Sequence, residues 1–222
     1  MDEVKIIEVK QGVFEENHKD AEELRKQLKS EKTFLLNLMS SPGAGKTTTL
    51  LALAKEFSGK ISWSVMEADI DSAVDAETMQ KVGVPTIQIH TGGMCHLDAW
   101  MTKQGLEELE TENTDLVILE NVGNLVCPAE FDTGACKNMT ILSVPEGHDK
   151  PLKYPLMYEI CDLLVINKID VMEYFDFDKE KVVEYAKMRN PKIEIIFISA
   201  KTGEGIKELS EWILSNVNEW NK

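Results

Sequence analysis

Residues 41–47 read SPGAGKT, and this stretch decides the fold that the sequence predicts. It follows an apolar run, FLLNLM at 34–39, and precedes a helix-like stretch at 47–57. Gly43 and Gly45 allow a tight turn, so that backbone N–H groups can converge on phosphate oxygens at a helix N-terminus. An apolar strand, a glycine-containing turn, Gly-Lys-Thr and a helix in this order predict a phosphate-binding loop.

Each side chain of this loop has an expected role. Lys46 can reach the β- and γ-phosphates of a nucleotide, and the Thr47 hydroxyl can bind Mg²⁺. The usual pattern has a glycine where this chain has Ser40, a small departure from the motif. The remaining nucleotide contacts of the loop are expected from Ser41, Gly43, Ala44, Gly45 and Thr48.

Short apolar runs alternate with helix-like stretches from residue 34 onward. The runs lie at 34–39, 61–66, 86–89, 115–120, 139–144, 162–167 and 193–198. Their nearly continuous hydrophobicity is typical of parallel strands that are buried on both faces. We therefore predict an α/β fold of the P-loop NTPase type, with a mostly parallel sheet of about seven strands flanked by helices on both faces.

Composition limits the classes of partner. The 222 residues carry 24 basic and 39 acidic side chains, a net charge of −15, whereas binding to nucleic acid or an anionic membrane needs clustered Lys and Arg. The first residues lack the apolar core of a signal peptide, and no apolar run approaches the roughly 20 residues of a membrane span. We expect a cytoplasmic protein with no nucleic-acid or membrane partner, whose four cysteines are thiols or metal ligands.

The base of the nucleotide is predicted from NKID at 167–170, directly after the run at 162–167. The carboxylate of Asp170 only accepts hydrogen bonds and can take both N–H donors on the guanine edge, a pair that adenine does not present. The stem of Lys168 can lie along the base, and Asn167 can tie this loop to the phosphate loop. The segment 199–201 resembles the last GTPase motif, and the predicted base-binding residues are Asn167, Lys168, Asp170, Ser199, Ala200 and Lys201. GTP is expected rather than ATP.

Two regions are distinguished along the chain. Residues 1–33 are polar, with apolar positions spaced as in a helix that packs on the main body, and are predicted to be an N-terminal helical appendage. Residues 34–222 are predicted to be the GTP-binding domain.

Acidic residues follow two of the apolar runs. Asp69, Asp71 and Asp75 come after the run at 61–66, and Glu120 ends the run at 115–120. Carboxylates at the C-terminal ends of parallel strands face the ligand crevice. Because Mg²⁺ uses few carboxylates beside waters and phosphates, not all four can be ligands.

A second metal site is suggested by Cys95, His96 and Cys127. A thiolate and an imidazole suit Zn²⁺ or Ni²⁺, and Cys127 lies in the loop beyond Glu120. Three ligands leave a tetrahedral site one short, which symmetric pairing of two chains could complete. From the residues alone, buried cysteines without a metal are an equally good interpretation.

Six segments together carry a resemblance to a known family. They read, in order, SSPGAGKTT, EADIDSAVDAE, GGMCHLDA, ENVGNLVCP, EGHDKPLKYP and NKID. This set closely resembles the hydrogenase nickel-incorporation GTPases, the HypB family in the signal-recognition/MinD-like class of P-loop GTPases. The resemblance runs from about residue 34 to residue 222.

The resemblance implies a function and a site. It implies nickel delivery to the large subunit of [NiFe] hydrogenase, a HypA-type zinc metallochaperone as partner and a homodimer that forms with GTP. It implies Cys95, His96 and Cys127 as the Ni²⁺ or Zn²⁺ site. It favours Thr47, Asp75 and Glu120 as the residues that hold Mg²⁺, with Asp69 as a reserve. It favours Lys46, Asp75 and Glu120 as the catalytic residues. No arginine finger stands out, so slow hydrolysis is expected.

One departure from many relatives concerns the N-terminal region. Residues 1–33 contain no cysteine and a single histidine, His18, so an N-terminal nickel motif is not expected. Three other interpretations remain. One is a urease-type nickel accessory GTPase, whose site resembles Cys-Pro-His, and another is a GTPase chaperone without metal. The third is a GTP-regulated structural or interaction protein whose cysteines are inert in the core.

Overall fold

The computed structural model describes residues 9–69, 74–109 and 113–222, and the side chains among them from 14–68, 77–109 and 113–222. The strands are β1 (Phe34–Ser40), β2 (Trp63–Asp69), β3 (Thr86–His90), β4 (Leu116–Glu120), β5 (Lys137–Ser143), β6 (Leu163–Asn167) and β7 (Glu194–Phe197). The helices are α1 (Val9–Glu31), α2 (Lys46–Phe57), α3 (Val74–Lys81), α4 (Ala99–Glu108), α5 (Cys127–Glu130), α6 (Lys150–Lys153), α7 (Pro155–Glu159), α8 (Lys179–Arg189) and α9 (Ile206–Trp220).

The seven described strands form one parallel sheet in the order β3-β2-β4-β1-β5-β6-β7. The predicted fold class is confirmed. Each predicted run overlaps one strand, and the ends of run and strand differ by at most three residues. The central strand β1 is buried at every position, because helices cover the sheet on both faces.

Alternate side chains of β1 show the two layers of the core. Leu36 and Leu38 pack with apolar residues of α2, α3 and α9 on one face. Leu35 and Met39 face the other layer, where Leu35 packs with α1 and α4 and Met39 packs with α7 and α8. Within the described residues, no helix has the length and apolar character needed to cross a membrane.

The N-terminal region contributes a long helix, α1, to the second layer. Ala21, Leu24 and Leu28 are at most 2 % exposed, and the two leucines join the core of α4, β1 and β4. Their spacing of three and four residues is the apolar stripe of an amphipathic helix. The division of the chain at residue 33 stays a prediction, since α1 shares its core with the sheet.

Replacing Leu28 with alanine tests this packing. We expect L28A to lower the free energy of unfolding by about 2–5 kcal/mol, because a buried side chain is exchanged for a cavity. Lys26→Ala, on the exposed side of the same helix, is the matched control and is expected to change stability by less than about 0.5 kcal/mol. Denaturant unfolding measures both, and equal stabilities of L28A and wild type would contradict this role of α1.

Candidate functional site

The phosphate loop joins the end of β1 to the start of α2. Gly43 and Gly45 have φ values of 76° and 102°, in the left-handed region that favours glycine. A Cβ atom on Gly45 would lie 2.5 Å from Nδ2 of Asn167, so a side chain is excluded there. The N-cap of α2 is Gly45, and among the described residues no side chain caps this helix end. The backbone thus presents helix N–H groups in the way that a phosphate-binding site requires.

Glu120 meets the two polar residues at the start of α2. Leu38 of β1 pairs with Glu120 of β4, which places this carboxylate beside the phosphate loop. One oxygen, Oε1, lies 3.8 Å from Nζ of Lys46 and accepts a 3.4 Å hydrogen bond from Oγ1 of Thr47. A hydroxyl and a carboxylate oxygen so close together form a donor set that fits Mg²⁺, with Lys46 beside it for phosphate.

A second carboxylate lies in the same place, and sequence reasoning did not select it. Glu67 of β2 is in register with Glu120 of β4, and both are 4 % exposed. Glu67 follows directly on the predicted run, but only the strand register shows that it adjoins Glu120. The side chains of Asp69 and Asp75 and the whole of Asp71 lie outside what the structure describes, so their roles remain predictions.

Asn167 joins the phosphate loop to the two predicted base-binding loops. Its Nδ2 donates to the carbonyl of Ala44 at 2.9 Å. Its Oδ1 accepts from the N–H of Lys168 at 2.7 Å and from the N–H of Ala200 at 3.1 Å. One buried amide therefore holds three chain segments together. One of its three contacts is the link to the phosphate loop that the sequence predicted.

Two further contacts shape the base-binding side. Lys168, with a φ of 65°, extends its side chain across the phosphate loop and donates from Nζ to the carbonyl of Gly43 at 2.7 Å. Ser199 donates from Oγ to Oδ1 of Asp170 at 2.7 Å. The serine hydroxyl thus orients the carboxylate that is predicted to read guanine, a role that the sequence did not assign to it.

The other predicted nucleotide contacts with a described side chain are Ser41, Thr48 and Lys201, and they differ in their contacts and exposure. Ser41 donates from its hydroxyl to Glu146, whose other carboxylate oxygen accepts from both N and Oγ of Ser143. Glu146 opens the segment EGHDKPLKYP, but sequence reasoning did not assign it a role in supporting the phosphate loop. Thr48 is exposed in the first turn of α2, and Lys201 is exposed beyond β7.

The thiols of Cys95 and Cys127 lie side by side. Their sulfur atoms are 2.6 Å apart, and both cysteines are free thiols. The hydrogen bond to Cys127 raises the pKa of the Cys95 thiol, with burial as a smaller cause. The fold therefore brings two thiols from separate loops together. That they bind Zn²⁺ or Ni²⁺ stays a prediction.

His96 does not complete a three-residue cluster with them. Across the described ranges, no three His, Cys, Asp or Glu side chains are arranged to hold a metal. The imidazole of His96 stacks on Phe131, with ring centroids 3.7 Å apart at 11°. In this arrangement the imidazole packs on Phe131, a residue that carried no signal in the sequence, and the role of His96 as a metal ligand stays a prediction.

The imidazole nevertheless keeps the chemistry of a ligand. Nδ1 of His96 is buried and has no hydrogen-bond partner among the described residues. Burial lowers the pKa of His96, against the opposing effects of Asp98 and Glu130. The neutral form that this favours is the form that binds metals.

Comparison with known proteins agrees with this architecture. Residues 34–197 match the family described as CobW/HypB/UreG, nucleotide-binding domain. The hydrogenase maturation factor HypB of Azotobacter chroococcum mcd 1 is 43 % identical over 209 residues, which are 94 % of this chain and 68 % of that protein.

Two solved structures are similar along nearly the whole chain. HypB from Helicobacter pylori in complex with nickel has a TM-score of 0.87 and 38 % identity, covering 92 % of this chain and 96 % of that one. HypB from Archaeoglobus fulgidus has a TM-score of 0.84 and 35 % identity, covering 91 % and 98 %. The chain therefore belongs to the HypB family of hydrogenase maturation factors, within the CobW/HypB/UreG group of nucleotide-binding domains.

Proposed function

We propose that this chain is a GTPase that binds nickel or zinc and assists the GTP-dependent insertion of nickel into [NiFe] hydrogenase. One observation carries the proposal. Strand β4 ends in Glu120 beside the phosphate loop, and the same chain continues to Cys127, whose sulfur meets Cys95. A nucleotide site and a thiol pair are thus joined by a short covalent segment. The nickel complex of the Helicobacter pylori relative supports the choice of metal.

The residues of the phosphate loop divide the work of binding and hydrolysis. Lys46 would neutralise the β- and γ-phosphates. Thr47, Asp75 and Glu120 would hold Mg²⁺ and its waters, with Asp69 as the reserve. Mg²⁺ supplies charge stabilisation on the phosphate oxygens when it is bound. The two arginines of the chain, Arg25 and Arg189, bind the backbone carbonyls of Ala135 and Pro151. That engagement supports slow hydrolysis by the isolated chain.

The number of thiols in one chain supports a homodimer. Cys95 and Cys127 supply two soft ligands, and two chains related by a two-fold axis would supply four. We therefore propose a GTP-dependent homodimer that shares its metal between chains, with His96 as a further ligand after a change of rotamer. The proposed protein partners are a HypA-type zinc metallochaperone and the hydrogenase large subunit.

The base specificity is tested by Asp170→Asn. The amide replaces an acceptor oxygen by a donor, so we expect GTP affinity to fall at least about tenfold while xanthosine triphosphate becomes the better ligand. Asp178→Asn, at the half-buried N-cap of α8, is the control and is expected to bind GTP as wild type does. Nucleotide titration measures all three proteins, and unchanged GTP affinity in D170N would count against the assignment.

Hydrolysis is tested by Lys46→Ala and Glu120→Gln. Each removes a charge at the phosphate loop, so we expect the rate of phosphate release to fall about a hundredfold or more. Lys55→Ala, on the exposed side of the same helix α2, is the matched control with an expected wild-type rate. Single-turnover assays with excess protein separate binding from chemistry, and a full rate in K46A would contradict the proposed role.

The metal site is tested by the double variant C95A/C127A. Both soft ligands are lost, and we expect the Ni²⁺ affinity of metal-free protein to fall at least about a hundredfold. Cys136→Ala is the control, because burial raises the pKa of that thiol to about 11 and keeps it protonated. Titrations with GDP and with a non-hydrolysable GTP analogue show whether nucleotide changes the affinity. No Ni²⁺ binding by wild type in either state would favour a metal-free GTPase chaperone.

A further inference from the structure

Helix α1 reaches both loops of the thiol pair through one side chain. Asn17 is 9 % exposed and uses both ends of its amide. Its Oδ1 accepts from the N–H of Ala99 at 2.9 Å, and its Nδ2 donates to the carbonyl of Asp132 at 3.1 Å. Ala99 comes directly after the loop that carries Cys95, and Asp132 lies in the segment that follows Cys127. The amide is therefore a bridge between the two loops.

The Ala99 end of the bridge satisfies a group that the helix itself leaves open. Ala99 is the first residue of α4, where backbone N–H groups have no partner within the helix. The carboxylate of the N-cap residue Asp98 accepts from the N–H of Met101 at 2.8 Å. The acceptor for the N–H of Ala99 is the side chain of Asn17. Because the bridge needs a donor and an acceptor on one short side chain, an amide suits it and a carboxylate or an alkyl group does not.

A second contact runs from α1 to the same place. Phe14, one turn before Asn17, packs on Phe131 with ring centroids 5.1 Å apart. Phe131 in turn stacks on His96. Helix α1 thus contacts both thiol loops through the hydrogen bonds of Asn17. Its Phe14 reaches the imidazole of His96 indirectly, through the ring of Phe131.

We propose that Asn17 is a positioning residue, which holds the Cys95 loop against the Cys127 loop and so sets the geometry of the metal site. The assignment of a metal to these thiols rests on the proposed function, whereas the bridge itself does not. Without the bridge, the loops would sample separated arrangements. The apparent affinity for a metal that needs both thiols then falls in proportion to the competent fraction.

Arg25 offers a matched comparison on the same helix. It donates from Nε to the carbonyl of Ala135 at 2.9 Å and pairs with the carboxylate of Asp132. All of these contacts are on the Cys127 side. Arg25 therefore anchors α1 to one loop, while Asn17 connects the two.

The test measures how closely the two thiols are held, with no metal present. Metal-free protein is equilibrated with reduced and oxidised glutathione, and peptide mass spectrometry quantifies the Cys95–Cys127 disulfide. The two thiols give up two protons and two electrons, and one oxidised glutathione becomes two reduced glutathiones. The equilibrium constant is the effective concentration of one thiol at the other.

Asn17→Leu, which removes both hydrogen bonds, is expected to lower this effective concentration about tenfold. Asn17→Asp keeps the acceptor for Ala99 and nearly the same shape, and is expected to lower it about threefold, so the test holds even if N17L does not fold. Arg25→Leu is expected to change it less than about twofold. Thermal unfolding and GDP titration of each variant confirm an intact nucleotide domain. Ni²⁺ titration is expected to show the same order of losses.

The outcomes separate the two proposals. Wild-type effective concentrations in both N17L and N17D overturn the role of Asn17, and so do equal losses in N17L and R25L, which would indicate general docking of α1. A tenfold loss in N17L together with no Ni²⁺ binding by wild type keeps the positioning role and removes the metal from the proposed function.

Discussion

The amide of Asn167 is the constraint on which the nucleotide site depends. It closes β6 and binds Ala44 in the phosphate loop, Lys168 in its own loop and Ala200 beyond β7. These segments are far apart in sequence and meet because parallel strands end at one edge of the sheet. A glycine at position 45 is required by the same contact, since any side chain there would collide with this amide. The phosphate loop and the two predicted base-binding loops are therefore built as one unit.

Strand β4 connects that unit to the thiol pair. Its last residue, Glu120, contacts Thr47, and the chain runs on directly to Cys127. Under the proposed function, a displacement of Glu120 toward Mg²⁺ would be passed to Cys127 along the intervening residues 121–126. Any such coupling is reciprocal: if nucleotide changes metal affinity, metal changes nucleotide affinity by the same factor. The proposed nucleotide and metal sites are thus joined by one continuous segment, from Glu120 at the end of β4 to Cys127 at the start of α5.

The thiol site also depends on a part of the chain outside the predicted GTP-binding domain. Helix α1 buries Leu24 and Leu28 in the main core, and from that fixed position Asn17 and Phe14 reach the site. The pairing of two loops that end on different strands thus has a structural basis in a helix that precedes the sheet. The polar composition of residues 1–33 alone would suggest an appendage with no part in the thiol site.

The sequence by itself determined the fold class and the phosphate loop, and it predicted the guanine-type motif. These follow from local rules: strand burial gives apolar runs, and phosphate binding needs glycine, lysine and threonine at fixed spacing. Only the tertiary structure decided that Glu67 adjoins Glu120, because strand register is not written in either segment. It also decided that His96 stacks on Phe131, and that Asn17 bridges two loops about 80 and 115 residues away. Such contacts join residues with no local pattern in common, and packing alone brings them together.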